Sequence, residues 1–402
     1  MRRALPAVQG RRLSHPASRF PVTACWREVR RRSVGQISVS AMLPIAASWE
    51  RWFDLGEQWM SNRSYRIGIA GMTHGHVSAH LREWQRLANA SVVGYAEPDH
   101  ELRTKYAARL GDATAYDSVE QLLDEGRPDV LSICNETINH VTVVEAAAAR
   151  GVHCIMEKPM AISLQQAQRM LVAGATYGIQ IIVNWPTHWG NRNVLAALRL
   201  VQDGAVGRLY EVRHRGGSTK PTAREADAFF RWLYQPAING AGAYADYCGY
   251  GIDMALSGLG MPSSVWAMTG RYVRDDILGD DNARMILQYP RALAMVEGTW
   301  TQVGLPHGAT AFYGDQGTLE LRPEGIWQAT RADEKGRIVE QLPQLNYGAS
   351  AMEHMLRQLD RGEPVAELFG VRRGRDTAEI FEAGLQSART GGLVTLPLPV
   401  LP

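Results

Sequence analysis

The chain has 402 residues, 45% hydrophobic and 21% charged, with a formal net charge of +2. This is the balance of a globular protein with room for two ordinary domains, and no apolar run is long enough for a membrane span. Residues 1–64 hold 11 Arg against 4 acids, so the rest of the chain is mildly acidic and offers no nucleic-acid footprint.

The first 60 residues read as a basic leader without sustained periodicity. Arg30-Arg31-Arg32 followed by residues 33–48 is similar to a twin-arginine export signal, which would make the protein periplasmic. The alternative, preferred here, is a start at Met60 and a cytoplasmic protein. The four cysteines (Cys25, Cys134, Cys154, Cys248) are widely spaced, which predicts reduced, buried thiols.

From Tyr65 the pattern is regular. Short apolar strands are expected at 65–70, 91–96, 129–134, 153–156 and 180–184. Helices are expected from the first glycine turn to about Ala88, then at 99–110, 117–124, 140–150 and 163–174. Asp99 and the Ser163-Leu-Gln-Gln166 box supply helix starts. Alternating strands and helices of this size predict βαβ units, a doubly wound parallel sheet and a dinucleotide-binding domain over 61–185. After Trp185 the grammar changes. A helix near 193–203, a strand at 209–215, a polar loop at 216–224 and a helical stretch at 226–234 lead to Gly240-Ala-Gly242. A helix is then expected to about Leu259. Strands at 265–271, 283–289, 293–300, 310–313 and 318–321 and a helix at 377–388 complete an α+β domain over 186–402. That domain is built on an open, mainly antiparallel sheet.

The first turn reads Gly68-Ile-Ala-Gly71-Met-Thr73-His74-Gly75-His76. A dinucleotide fingerprint needs glycine for the tight turn, for the pyrophosphate and for helix packing. Only Gly71 stands at a fingerprint position. Glu97 closes the second strand where a carboxylate would bind a ribose hydroxyl, and no arginine follows it directly, so NAD is favoured over NADP. His74 and His76 either donate to phosphate oxygens or fill loop space; as a pair they lack the further ligands a metal needs. The run Val152 to Met156 ends at Glu157-Lys158-Pro159, placing a lysine at the edge of the sheet where ligands bind. Asp246, Tyr250 and Asp253 share one face of the following helix. Their small or apolar neighbours imply burial, and a buried aspartate needs a partner.

These residues together resemble the glucose–fructose oxidoreductase / inositol dehydrogenase (Gfo/Idh/MocA) family over about residues 65–396. The matching stretches are the Gly68–Gly71 turn, Ala96-Glu97-Pro98-Asp99, Glu157-Lys158-Pro159 and Gly240-Ala-Gly-Ala-Tyr-Ala-Asp246. Asp281-Asn282-Ala283, Tyr313-Gly-Asp-Gln-Gly-Thr318 and Ser387-Ala-Arg-Thr-Gly391 complete the set. The resemblance implies a nicotinamide cofactor between two domains and a sugar, polyol or related substrate. It implies that Lys158, Tyr250 and Asp246 are catalytic. The cofactor residues are expected to be Gly71, Thr73, His74, Gly75, His76, Glu97, Asn135, Glu157 and Lys158. The substrate is expected to meet Lys158, His188, Asp246 and Tyr250, with Arg215 and Trp232 as further pocket candidates. Cys248 and Tyr250 stand where the family usually has glycine and histidine; tyrosine there is similar to the glucose–fructose oxidoreductase branch. Hydride transfer with Tyr250 as base, its phenolate favoured by Lys158, is the expected chemistry. A hydrolase or lyase using bound NAD and a non-catalytic NAD-binding regulator are the alternatives. Pairing of two chains through the C-terminal sheet is also expected.

Overall fold

The alternating part of the sequence forms a parallel sheet because its central strands are buried on both faces and each crossover carries a helix. The computed structural model describes residues 63–304 and 308–399, so the basic leader and Cys25 lie outside the described residues. The described residues belong to one unit running Trp59–Pro402.

The first sheet contains β1 (Tyr65–Ala70), β2 (Ala90–Ala96), β3 (Thr114–Tyr116), β4 (Val130–Ile133), β5 (His153–Glu157) and β6 (Ile181–Asn184) in the order β3-β2-β1-β4-β5-β6. The chain order reverses between β1 and β4, which opens the ligand crevice of a doubly wound sheet. On one face Ile67 and Ile69 pack with Val77, Leu81 and Trp84 of α1 (Val77–Arg86). On the other, Leu131, Ile133 and Met156 pack with Val144 and Ala147 of α3 (His140–Ala148). The helix between them, α2 (His100–Leu110), starts where expected: the Asp99 carboxylate accepts from the Glu101 and Leu102 amides. Ser163 caps α4 (Leu164–Tyr177), but Gln166 Oε1 reaches back to the Ile162 amide instead of closing the box on Ser163. α4 also continues through Gly174, because that glycine packs against Ile181.

Residues after 185 build a second, mixed sheet. Its strands are β7 (Leu209–Gly217), β8 (Ser264–Gly270), β9 (Asn282–Tyr289), β10 (Ala292–Thr299) and β11 (Ala309–Gly314). β12 (Gly317–Arg322), β13 (Gly325–Thr330), β14 (Asp333–Ile338) and β15 (Val394–Thr395) follow. The order is β14-β13-β12-β11-β7-β10-β9-β8-β15. The β7–β10 pair is parallel inside an otherwise antiparallel sheet, since β7 reaches it through a long crossover. α5 (Arg192–Gln202) precedes β7, and α6 (Ala228–Leu233) and α7 (Ala243–Leu259) lie in that crossover with β8 and β9. α7 covers the sheet, with Cys248, Ile252 and Leu256 in its core.

The β13–β14 hairpin, α8 (Ala351–Arg361) and the short strands β3 and β15 were not expected. The hairpin is polar and half-exposed, so it carries little periodicity. The apolar residues of α8, Met352, Met355 and Leu356, face the first sheet rather than the second. α9 (Val371–Thr390) begins six residues earlier than expected and joins the two cores. Its Ala378 packs with the first sheet, and Ile380 and Ala383 pack with the second. This shared helix fixes the crevice between the sheets. Cys134, Cys154 and Cys248 are buried free thiols. No described helix is long and apolar enough to cross a membrane.

Candidate active site at the sheet crevice

Lys158 follows the last residue of β5, through a cis peptide to Pro159, and is almost fully buried. Its Nζ donates to Asp246 Oδ1 at 2.8 Å and to the Asp246 carbonyl at 3.1 Å. The other carboxylate oxygen accepts from Trp300 Nε1 at 2.8 Å and lies 3.4 Å from Lys220 Nζ. Burial opposes ionisation of Asp246, but the two ammonium groups outweigh it and hold the carboxyl well below its ordinary value. Lys158 shifts the opposite way: burial disfavours its charge, and Asp246 more than restores it.

The Gly240–Gly242 start of α7 has a different cause from the one the sequence suggests. A Cβ on Gly242 would stand 2.0 Å from the Asp280 carbonyl oxygen, so what comes close is backbone, not ligand. The Asp280 carboxylate accepts from the Gly242 and Tyr244 amides at 2.8 and 2.7 Å and fixes the first turn, where Asp246 sits. Burial pushes Asp280 up to about 6.

Tyr250 departs from its expected role. The Lys158 ammonium lies over its ring, 5.1 Å from the centroid, and its hydroxyl has no hydrogen-bond partner among the described residues. Burial raises the phenol further than Lys158 lowers it. His188 is fully buried with its Nε2 2.7 Å from Asp253 Oδ2, and neither ring nitrogen completes a hydrogen bond among the described residues. Arg215 points from β7 beside Glu297 of β10, on the open side of the second sheet, away from Lys158. Trp232 is nearly buried and reaches the glycine turn, its Nε1 donating to the Thr73 carbonyl at 3.4 Å.

The turn itself is built for close approach. Gly71 has φ +74°, and a Cβ there would meet Asn135 Cβ at 2.5 Å. Glu97, buried at the end of β2, accepts from the Met72 amide at 2.5 Å and the Asp99 amide at 2.8 Å, ties the turn to the sheet and keeps spare lone pairs. Burial raises its carboxyl against these amides. Thr73 Oγ1 and Asn135 Oδ1 are buried beside the turn without partners. Buried polar atoms are rarely left so, and two at one glycine turn fit a dinucleotide whose hydroxyl and phosphate groups would complete them.

His74 and His76 face Glu157 rather than open phosphate space. Glu157 Oε2 lies 2.9 Å from His76 Nδ1 and 3.9 Å from His74 Nε2; Oε1 lies 2.7 Å from His80 Nε2 and accepts from Asn184 Nδ2 at 2.8 Å. Gly75 faces the Phe229 ring, 3.4 Å from its notional Cβ. The fully buried Glu157 carboxyl is held far below its ordinary value; burial opposes this and the histidines outweigh it. His74, His76 and Glu157 offer ligand atoms within 4.8 Å of one another, the spacing of a cation site. Yet His74 Nδ1 accepts the His76 amide, which leaves the proton on the nitrogen that would have to ligate. Sequence reasoning singled out Glu157 but missed His80 and Asn184. The His76–His80 spacing of one helical turn was the available signal. It also missed Lys220, Tyr247, Ser218 and Trp300, which only the fold brings to Asp246.

A doubly wound sheet with a glycine turn, an acid closing β2 and a lysine at the crevice defines an NAD-binding Rossmann oxidoreductase. Residues 65–185 match the "Oxidoreductase family, NAD-binding Rossmann fold" and residues 194–320 match the "GFO/IDH/MocA C-terminal domain"; the chain belongs to the Gfo/Idh/MocA oxidoreductase family. Among curated proteins it is 23% identical over 331 residues to the uncharacterized oxidoreductase YdgJ of Escherichia coli K12, covering 81% of this chain and 89% of that protein. It is 27% identical over 178 residues to levoglucosan dehydrogenase of Pseudarthrobacter phenanthrenivorans, covering 44% of this chain and 45% of that protein, less than half the relative's length. A solved structure of levoglucosan dehydrogenase in complex with NADH and levoglucosan has the same fold. It superposes with a TM-score of 0.70 at 21% identity, covering 84% of this chain and 100% of that one.

Proposed function

We propose that this protein moves hydride between NAD and the CH–OH carbon of a sugar, a polyol or a related compound. The observation that carries the reading is the buried Lys158–Asp246 pair, which puts a fixed cation in the crevice between the sheets. Bound there, NAD supplies the hydride acceptor at its nicotinamide ring.

Gly71, Thr73, Asn135 and Glu97 hold the cofactor, and Trp232 closes over the turn. Pro98 and Asp99 directly follow Glu97, and the nearby Arg103 is engaged by the Glu97 carbonyl at 3.0 Å, which favours NAD over NADP. Lys158 donates to the substrate oxygen and stabilises the alkoxide that develops on it. Asp246 holds Lys158 in position, and Tyr250 forms the wall beside it. Glu157, buried among His76, His80 and Asn184, keeps the end of β5 fixed so that Lys158 does not drift.

The relatives support this substrate class by name: levoglucosan dehydrogenase, D-apiose dehydrogenase and myo-inositol 2-dehydrogenase are all matched over parts of their length. The test has two stages. Mass and absorbance spectra of the purified protein show whether a nicotinamide cofactor accompanies it. The protein is then offered NAD and a panel of polyols and aldoses while absorbance at 340 nm is followed. Accumulating NADH is expected. Substrate turnover without it would replace the dehydrogenase by an NAD-assisted hydrolase, and no turnover with any compound would remove the reading.

A further inference from the structure

Lys158 and Lys220 face the two oxygens of a single carboxylate, so this cluster carries one positive charge that the protein leaves unanswered. We propose that Lys220 binds a carboxylate on the substrate, so that the compound oxidised is a polyhydroxy acid, an aldonate or a uronate, in preference to a neutral polyol. The proposal rests on the hydride-transfer reading above and narrows its substrate class.

Lys158 Nζ donates to Asp246 Oδ1 at 2.8 Å, and Lys220 Nζ lies 3.4 Å from Oδ2. The side chains of Lys158, Asp246 and Lys220 are only 5%, 7% and 13% exposed, so water screens their charges poorly. The other acids nearby are engaged elsewhere. Glu157 gives its oxygens to His76 and His80. Asp280 accepts the Gly242 and Tyr244 amides, and Asp276 lies 2.6 Å from Arg274. Burial opposes the charge on Lys220, but Asp246 and Tyr247 outweigh it and hold the ammonium above its ordinary value. Two buried cations on one carboxylate leave a cost that an anionic ligand relieves.

The fold sets this cation before any ligand arrives. β7 and β10 run parallel, with Gly217 paired to Thr299, and the Ser218 amide donates to the Thr299 carbonyl at 3.2 Å. The two strands therefore end together and deliver Lys220 and Trp300 to Asp246 in the first turns of α7. The Pro221 carbonyl accepts from Arg274 at 2.9 Å and from the Tyr234 hydroxyl at 2.6 Å, which pins the backbone beside Lys220. An ammonium has three N–H groups. The Tyr247 hydroxyl takes one at 2.9 Å and Asp246 at most one more, which leaves a donor for a ligand.

The two ammonium groups stand one carboxylate apart. A substrate whose carbinol oxygen meets Lys158 thus brings a carboxylate a few bonds away to Lys220. That carboxylate is unchanged by the reaction. The carbinol carbon gives hydride to NAD, the hydroxyl proton is released to solvent, and the product is the keto acid.

The test compares matched pairs, D-gluconate with sorbitol and D-glucuronate with D-glucose, on the full chain with NAD. In the wild type kcat/KM should be about tenfold or more higher for the acids, because a neutral analogue leaves the cation unpaired. Lys220→Met should bring the ratio close to one, chiefly by raising KM for the acids, and Lys220→Arg should keep most of the preference. Loss of Lys220 also disturbs the Lys158–Asp246 pair, so rates on both members fall and the ratio is what is read. Calorimetry on protein saturated with NADH, which cannot oxidise a carbinol, reads binding alone and should show gluconate held more tightly than sorbitol. Equal or reversed preference in the wild type would overturn the proposal, whether or not the variants fold. A preference that survives Lys220→Met would overturn it too. Neutral polyols oxidised as well as the acids sink this proposal and spare the hydride-transfer reading. Gluconate bound through Lys220 with no NADH formed from any compound sinks that reading and spares the carboxylate site.

Discussion

The Lys158 ammonium, just past a strand of the first sheet, and the Asp246 carboxylate, on the helix that covers the second, are 88 residues apart in the chain and meet at 2.8 Å in a site closed to solvent. The pair is therefore both a clasp between the halves and the charge in the crevice. Separating the two roles is the first experimental task.

Lys158→Met should lower kcat by about 100-fold or more, as loss of a buried donor to a developing oxyanion does. It should also cost about 3 kcal/mol of stability by leaving a buried carboxylate short of a partner; the retained Lys220 and Trp300 contacts keep the loss from being larger. Adding Asp246→Asn to this variant should restore much of the stability and none of the activity. Thermal unfolding and turnover on the same preparations check both. Recovery of activity in the double variant would make Lys158 a structural residue.

Gly71→Ala puts a Cβ 2.5 Å from Asn135 and a side chain at φ +74°. About 1–3 kcal/mol of strain is expected, and NAD binding should weaken by about tenfold or more because the turn must open to relieve it. Isothermal calorimetry measures the affinity. Unchanged binding would take the turn out of the cofactor site.

The Glu157–His80 contact predicts a pH signature. Burial lowers His80, but its neighbours Cys134 and Glu157 outweigh burial and raise it from 6.5 to about 10. A raised histidine gives stability that is fully present below 6.5 and lost as pH rises through about 10. The depressed Glu157 carboxyl gives stability present above 4.5 and lost as pH falls. The pair therefore contributes most between about pH 4.5 and 6.5 and fades towards pH 10. Urea unfolding of the wild type and Glu157→Gln should show a gap that is widest near pH 6 and narrower at pH 9. A constant gap would mean that His80 is neutral throughout.

We propose that a second copy of the chain covers the open face of the second sheet. That face exposes Met268, Ile286, Leu293 and Met295 on adjacent strands β8, β9 and β10. The Arg284–Glu297 pair, 3.2 Å apart, adds charges of both signs that can be matched by a rotated copy of the same surface. Light scattering of the wild type should give a dimer or higher oligomer. Ile286→Glu with Met295→Glu should give a smaller, folded species. A wild-type monomer at high micromolar concentration would remove the interface.

Much of the fold was legible in the sequence because the central strands of the first sheet are buried on both faces, and β4 and β5 are therefore short, largely apolar runs. Asp99 and Ser163 announced their helices for the same local reason: a side-chain oxygen satisfies amides two or three residues ahead. The β13–β14 hairpin and α8 were not legible. The hairpin alternates weakly, and α8 buries its apolar stripe against a sheet that the chain left more than 160 residues earlier.

The site divides in the same way. Sequence alone determined that Gly71, Glu97, Glu157, Lys158 and Asp246 are unusual for their surroundings, because each sets a charge or a glycine where a strand or buried helix has no local use for it. Tertiary structure decided their partners. It gave Lys158 to Asp246 and not to Tyr250, His188 to Asp253, and Asp280 to the glycine turn that starts α7. It also brought Lys220 and Ser218 to Tyr247. These pairings depend on where two sheets and a shared helix place groups up to about a hundred residues apart, and a buried charge settles on whichever partner that packing puts within reach.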